Sequence, residues 1–202
     1  MVEALIGLLG VIVGASITAV REHWASAEAT KKSAEYLAIR VVSVLDGFTE
    51  QCADVVGDDG LSNGQVGPDG CREVQVSTPN LSVEKLDVDW KSIPSNLMYE
   101  ILSLPNRVSA ADQKISSVWE YVAGPPDYEE LFEERQIQYG ELGLKAASLS
   151  DELRNLYGIP PREYRDWNPV DFITEGVARA TAERNERLAR AARFHESMLA
   201  KN

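Results

Sequence analysis

The chain has 202 residues, 44% of them hydrophobic and 26% charged, with a formal net charge of -12 and two cysteines. Such a composition excludes a disordered tail and is enough for one domain with its own core. The acidic balance excludes direct nucleic-acid binding, which needs clustered Lys and Arg against phosphate.

The first element is an uncharged run of seventeen residues, Ala4 to Val20, bounded by Glu3 and Arg21. As helix it rises about 25 Å, the short end of what spans a hydrocarbon core of about 30 Å. Glu3 and Arg21 then reach headgroup level. A cleaved signal peptide would want a basic leader, and only Met1, Val2 and Glu3 precede the run, although Ala25-Ser26-Ala27 resembles a cleavage site. A buried core helix is the third alternative, but a helix apolar on every face is unusual in so small a domain. The expectation is a single transmembrane anchor over residues 1–22.

Arg21, Lys31, Lys32 and Arg40 follow the run, so the positive-inside rule puts the C-terminal body in the cytoplasm. A bilayer is therefore the first expected partner, and a bacterial inner membrane the expected location. Gly10, Gly14 and Thr18, four residues apart, form a small-residue face through which two copies could pair in the membrane as a homodimer.

Residues 23–168 form the expected acidic body. Residues 41–168 hold 23 acids against 10 bases, so anionic lipid repels them while the collar at Lys31 and Lys32 approaches it. Leu37, Val41, Val44, Phe48, Cys52 and Val55 share one helical face, which continues the anchor into a first bundle helix ending at Gly57. Turn signals then crowd residues 57–94: Gly57-Asp-Asp-Gly60, Asn63-Gly64 and Gly67-Pro-Asp-Gly70. Val74 and Val76 alternate with polar neighbours, predicting a short strand in this long excursion. Its aspartates lack the spacing of a calcium loop.

Helices resume at Ser95. The first is expected to stop at Leu104, before Pro105, with Asn106 capping a second that carries Val108, Ala111, Ile115 and Val118. After Gly124-Pro125-Pro126, Asp127 and Glu130 read as a capping box. The next helix spaces Tyr128, Phe132, Arg135, Tyr139, Leu142, Ala146, Leu149, Leu153 and Leu156 as a coiled-coil-like seam, closed by Gly158 and Pro160. Asn168-Pro169 opens a last, charged helix over 169–202. Its four-apart pairs Glu175–Arg179, Glu183–Arg187 and Glu186–Arg190 describe an exposed helix.

Catalytic patterns are thin. His23 and His195 have no helpful neighbours, phosphate-binding glycine loops are missing, and Cys52 with Cys71 makes no zinc site. Glu129, Glu130, Glu133 and Glu134 crowd a helix start without the Glu-x-x-His pairs of a bundle metal site, and the helix dipole accounts for them. No catalysis, metal or cofactor is expected. Arg135 and Tyr139 are polar tips at core-facing positions, expected to set bundle register against a partner carboxylate. Trp90, Tyr164, Trp167, Arg184 and Arg187 are the candidate contacts for a protein partner.

The stretches Tyr36–Val42, Val55–Gly60 and Val118–Val122 resemble uncharacterised bacterial and prophage-associated proteins with an N-terminal anchor. That resemblance implies a bacterial membrane protein and assigns no activity. The sequence thus reads as an all-α protein: one transmembrane helix running into an antiparallel helical bundle that binds another protein as adaptor, sensor or assembly factor. The alternative is an extracytoplasmic, envelope- or lysis-related protein with a Cys52–Cys71 disulfide, and an unrecognised enzyme comes third.

Overall fold

A computed structural model describes residues 2–199, with side chains from Arg21 onward. It contains four long helices and, among the described residues, no strand: α1 (Val2–Gly57), α2 (Ser95–Tyr121), α3 (Glu129–Tyr157) and α4 (Pro169–Leu199). The expected strand near Val74 does not form. Only Ser62 and Gln65 pair as an isolated bridge, across a turn in which Asn63 and Gly64 both have positive φ.

α1 is one unbroken helix of 56 residues, about 84 Å long at 1.5 Å per residue. Residues 21–32 are all exposed, and burial begins at Ala34. No packing supports that exposed stretch. Alanine-rich composition and the ion pairs Lys32–Glu28 and Lys31–Glu35, each four apart, sustain it instead. From Ala34 onward Leu37, Val41, Leu45, Phe48, Cys52 and Val55 enter the core at the expected three- and four-residue steps. Among the described residues no helix is long and apolar enough to cross a membrane. The run Ala4–Val20, with Gly10, Gly14 and Thr18, lies outside the described side chains.

α3 is the central element. Along its length Asp46 meets Arg154 and Asp58 meets Arg135; Glu100 meets Lys145 and Trp119 meets Tyr128; Glu130 meets Arg187. These pairings make α3 antiparallel to α1, α2 and α4, so the three outer helices run the same way. The excursion is therefore a crossover, carrying the chain back along the bundle so that α2 can start near the C-terminal half of α3, where Glu100 meets Lys145. It is ordered by Leu81, Val83 and Ile93, which join the core, and by short 3-10 turns at Val83–Lys85 and Trp90–Ser92.

Glycines let the helices close on α3. A Cβ at Gly140 would collide with Val177, and one at Gly143 would stand 2.8 Å from Cys52 Cβ. Gly176 of α4 faces Val56 in the same way. Past Arg187, α4 outruns the start of α3, and residues 188–199 stay exposed. The exposed part of α1 and this tail leave the bundle at opposite ends.

Two local expectations fail. Pro105 does not divide α2, which runs through it. A proline inside a helix costs about 3 kcal/mol, but Ile101, Leu104 and Val108 beside it are buried, each gaining about 1.5–3 kcal/mol. Nor does the capping box at Asp127 form. Tyr128 occupies the cap position with φ 50° and no side-chain cap bond, held by its ring against Trp119 at 5.0 Å, while Asp127 lies 3.6 Å from Arg72.

Candidate functional site

The bundle is joined at three polar nodes, and the first begins where α1 stops. Asp58, just beyond Gly57, is buried and accepts four hydrogen bonds. Its Oδ1 takes the Gly60 N–H at 3.0 Å; its Oδ2 takes the Gln75 and Val76 N–H groups and Arg135 Nη2, each at 3.1 Å. Arg135 Nη2 also donates to the Val76 carbonyl at 2.5 Å, and Gln136 donates to the Asp58 carbonyl at 3.1 Å. One carboxylate thus ends α1, fixes two turns of the excursion and compensates a buried guanidinium on α3. A buried charge persists only with such pairing. Four residues on, the Tyr139 hydroxyl donates to Asp112 of α2 at 2.6 Å. Burial and that carboxylate push its phenol well above the ordinary range.

The second node engages Arg184 and Arg187 within the chain. Arg184 donates to Glu134 at 2.8 Å, and Arg187 bonds Glu130 at 3.1 Å and makes a close ion pair with Glu133. Lys114 of α2 adds a contact to Glu134 at 2.6 Å. Glu133 and Glu134, which read as solvated acids at a helix start, are therefore buried beneath α4. Charged groups on a helix flank can be drawn inward when a neighbouring helix supplies the opposite sign. The expected pair Glu183–Arg187 gives way to this interhelical clasp.

At the third node Asp46 of α1 accepts both guanidinium nitrogens of Arg154, at 2.5 and 3.1 Å, and the Ser150 hydroxyl at 2.7 Å. Arg162 stands alongside and makes a close ion pair with Glu50. Burial alone would raise the Asp46 carboxyl. The Arg154 and Ser150 hydrogen bonds and the two guanidinium charges outweigh it, so the group titrates below its usual range.

The aromatic candidates divide. Trp90 is half-buried against the core, Tyr164 lies under Arg162 at 5.3 Å, and Trp167 remains 49% exposed with its ring 6.0 Å from Phe172. Trp167 and Phe172 line a cleft of about 540 Å³ whose other walls include Asp54, Asp59, Gln75 and Ser77. A second cleft of about 750 Å³, beside the α3–α4 clasp, carries both signs of charge, with Arg72, Arg179 and Arg190 facing Glu129, Glu183 and Glu186.

Both cysteines are free, which corrects the disulfide required by the extracytoplasmic alternative. Cys52 is sealed on the core face of α1 against Gly143, and burial pushes its thiol far up. Cys71 lies on the excursion, where Arg72 bonds the Pro126 carbonyl. Among the described residues no group of His, Cys, Asp and Glu is placed to hold a metal. Sequence reading missed Asp58, Asp46, Glu133, Glu134 and Phe172 as site residues. Asp58 looked like one aspartate among several in a turn, and nothing local marks the one that turns inward. No protein-family model, curated protein or solved structure matches the chain.

Proposed function

We propose that this is a membrane-tethered interaction protein whose helical bundle holds a protein partner and catalyses nothing itself. The observation that carries this reading is the exposed stretch of α1. An uncharged run of seventeen residues continues, in one helix, through twelve exposed residues into the bundle core. Those twelve residues lift the body about 18 Å from the end of the run. A helix with no packing partner there has a reason if it is a stalk. Trp24, 73% exposed four residues after the run, suits the headgroup belt where amphipathic rings settle. Arg21, Lys31 and Lys32 supply the positive charge of a cytoplasmic face, and the acidic body is repelled from anionic lipid.

In this reading the body stands on the cytoplasmic side of a bacterial inner membrane, and two anchors pair through Gly10, Gly14 and Thr18. Fractionation tests the anchor. The full chain stays with membranes through carbonate extraction, and a chain lacking residues 1–20 is released. Release of the full chain by carbonate would overturn the reading. A C-terminal reporter tests orientation, with fluorescence of a cytoplasm-dependent protein as the expected result. Alkaline-phosphatase activity without fluorescence would reverse it.

A further inference from the structure

We propose that the cleft between Trp167, Phe172, Asp54 and Asp59 seats an arginine side chain presented by a basic segment of the partner protein. The proposal rests on reading the bundle as a partner-binding body and names the chemistry of the partner.

Three observations point to a guanidinium. First, the walls have the two components that bind this group. Trp167 and Phe172, tilted 56° to one another with centroids 6.0 Å apart, supply aromatic rings, while Asp54 and Asp59 supply carboxylates. A cation over an aromatic face is favoured, and Trp with Arg is the strongest common pairing. Second, the charge there is unanswered. Asp58, beneath the cleft, is already matched by Arg135. Asp54 and Asp59 have no salt-bridge partner among the described residues, and no Lys or Arg lines the cleft. The other acids of the bundle core are met within the chain: Asp46 by Arg154, Glu133 and Glu134 by Arg184, Arg187 and Lys114. Third, the site is built rather than draped. Asp54 lies on α1 and Phe172 on α4, two helices locked together through Val56 and Gly176. Gln75 and Ser77 flank Val76, the point at which Asp58 and Arg135 pin the excursion in place. Such a wall needs little reordering on binding, which limits the entropic cost of a weak contact.

The occupant belongs to another protein. Arg72 and Arg179 line the neighbouring cleft, which Asp59 also borders, and Arg72 pairs with Asp127 at 3.6 Å instead. Planar Arg suits a site combining flat rings with carboxylates better than the compact Lys ammonium.

The test uses the full chain in nanodiscs of uncharged phosphatidylcholine, which does not itself bind basic peptide. The probe is a fluorescein-labelled hexapeptide, Gly-Arg-Gly-Gly-Arg-Gly. Its control replaces arginine by citrulline, which has the same shape without the charge. Fluorescence anisotropy should show the arginine peptide binding, the citrulline peptide at least about tenfold weaker, and affinity falling as salt rises. Trp167→Ala should weaken binding about tenfold, while Trp119→Ala, which removes an equally exposed ring outside the cleft, should leave it unchanged. Asp54→Asn changes one exposed carboxylate and should weaken binding with an unaltered melting temperature, so a folding defect cannot imitate the result. Equal binding of the citrulline peptide, or full affinity in Trp167→Ala, would overturn the cleft. Equal or tighter binding of a lysine peptide would overturn the guanidinium assignment. Carbonate extraction of the same variants separates this failure from failure of the membrane reading.

Discussion

Asp58 and Arg135 stand 77 residues apart in sequence and meet at 3.1 Å with both side chains shut away from water. The pair closes the end of α1 against the middle of the bundle, and the excursion is threaded through it by the Gln75 and Val76 N–H groups. Arg135→Met should destabilise the fold by about 3–5 kcal/mol, the usual cost of leaving a buried charge without its partner. The double variant Asp58→Asn with Arg135→Met should recover a large part of that loss, since the asparagine oxygen can still accept backbone N–H bonds. Urea unfolding of the parent chain and the two variants checks this. Equal losses in the single and double variants would show that the pair is not coupled.

Acid should act on the Asp46 node. Its folded-state carboxyl titrates below the unfolded value, so the interaction contributes in full above the ordinary carboxylate range. That contribution is withdrawn as pH falls toward the lowered folded value. Melting temperature measured from pH 7 downward should fall more gently in Asp46→Asn, which has no charge left to lose, than in the parent chain.

The α3–α4 clasp should govern how far α4 stays docked. Replacing Arg184 and Arg187 by Ala strips the buried Glu133 and Glu134 of their α4 partners. Both arginines keep about a quarter of their side-chain surface exposed, so the expected cost is about 1–3 kcal/mol, below that of a fully buried pair. Hydrogen exchange should rise over 180–190 and leave α1 unchanged. Protection retained in that segment would assign its docking to Ile173, Gly176 and Ala180 alone.

Gly140→Ala should be costly despite alanine's better helix propensity. The added methyl would run into Val177, and overpacking of this kind costs about 1–3 kcal/mol against a propensity gain of about 1 kcal/mol. Gly47, with nothing within 4 Å of its would-be Cβ, is the matched control at which the same change should stabilise α1. Thermal melts of the two variants should therefore move in opposite directions.

The two thiols should separate cleanly. Cys71 should react with iodoacetamide in the native protein, slowed because partial burial and the carboxylates of Asp69, Glu73 and Asp127 raise its thiol. Cys52, sealed against Gly143, should react only on unfolding. Mass spectrometry of native and denatured samples reads both.

The features legible in the chain before folding are local and periodic. The end of α1 at Gly57, the seam from Phe132 to Leu153 and the start of α4 after Asn168 all follow from apolar spacing and from stop and cap residues within a few positions. Arg135 and Tyr139 were legible as polar tips facing inward for the same reason. Their partners were not, because Asp58 and Asp112 come from other elements and a carboxylate looks alike in a turn or in a core. Packing between elements carries α2 through Pro105, where burial of its neighbours outweighs the helix defect, and lets Tyr128 displace the Asp127 cap. The same packing brings Glu133 and Glu134 against Arg184 and Arg187. Charge complementarity between helices depends on which faces meet, and that is settled by the crossover of the excursion and the glycine contacts around α3.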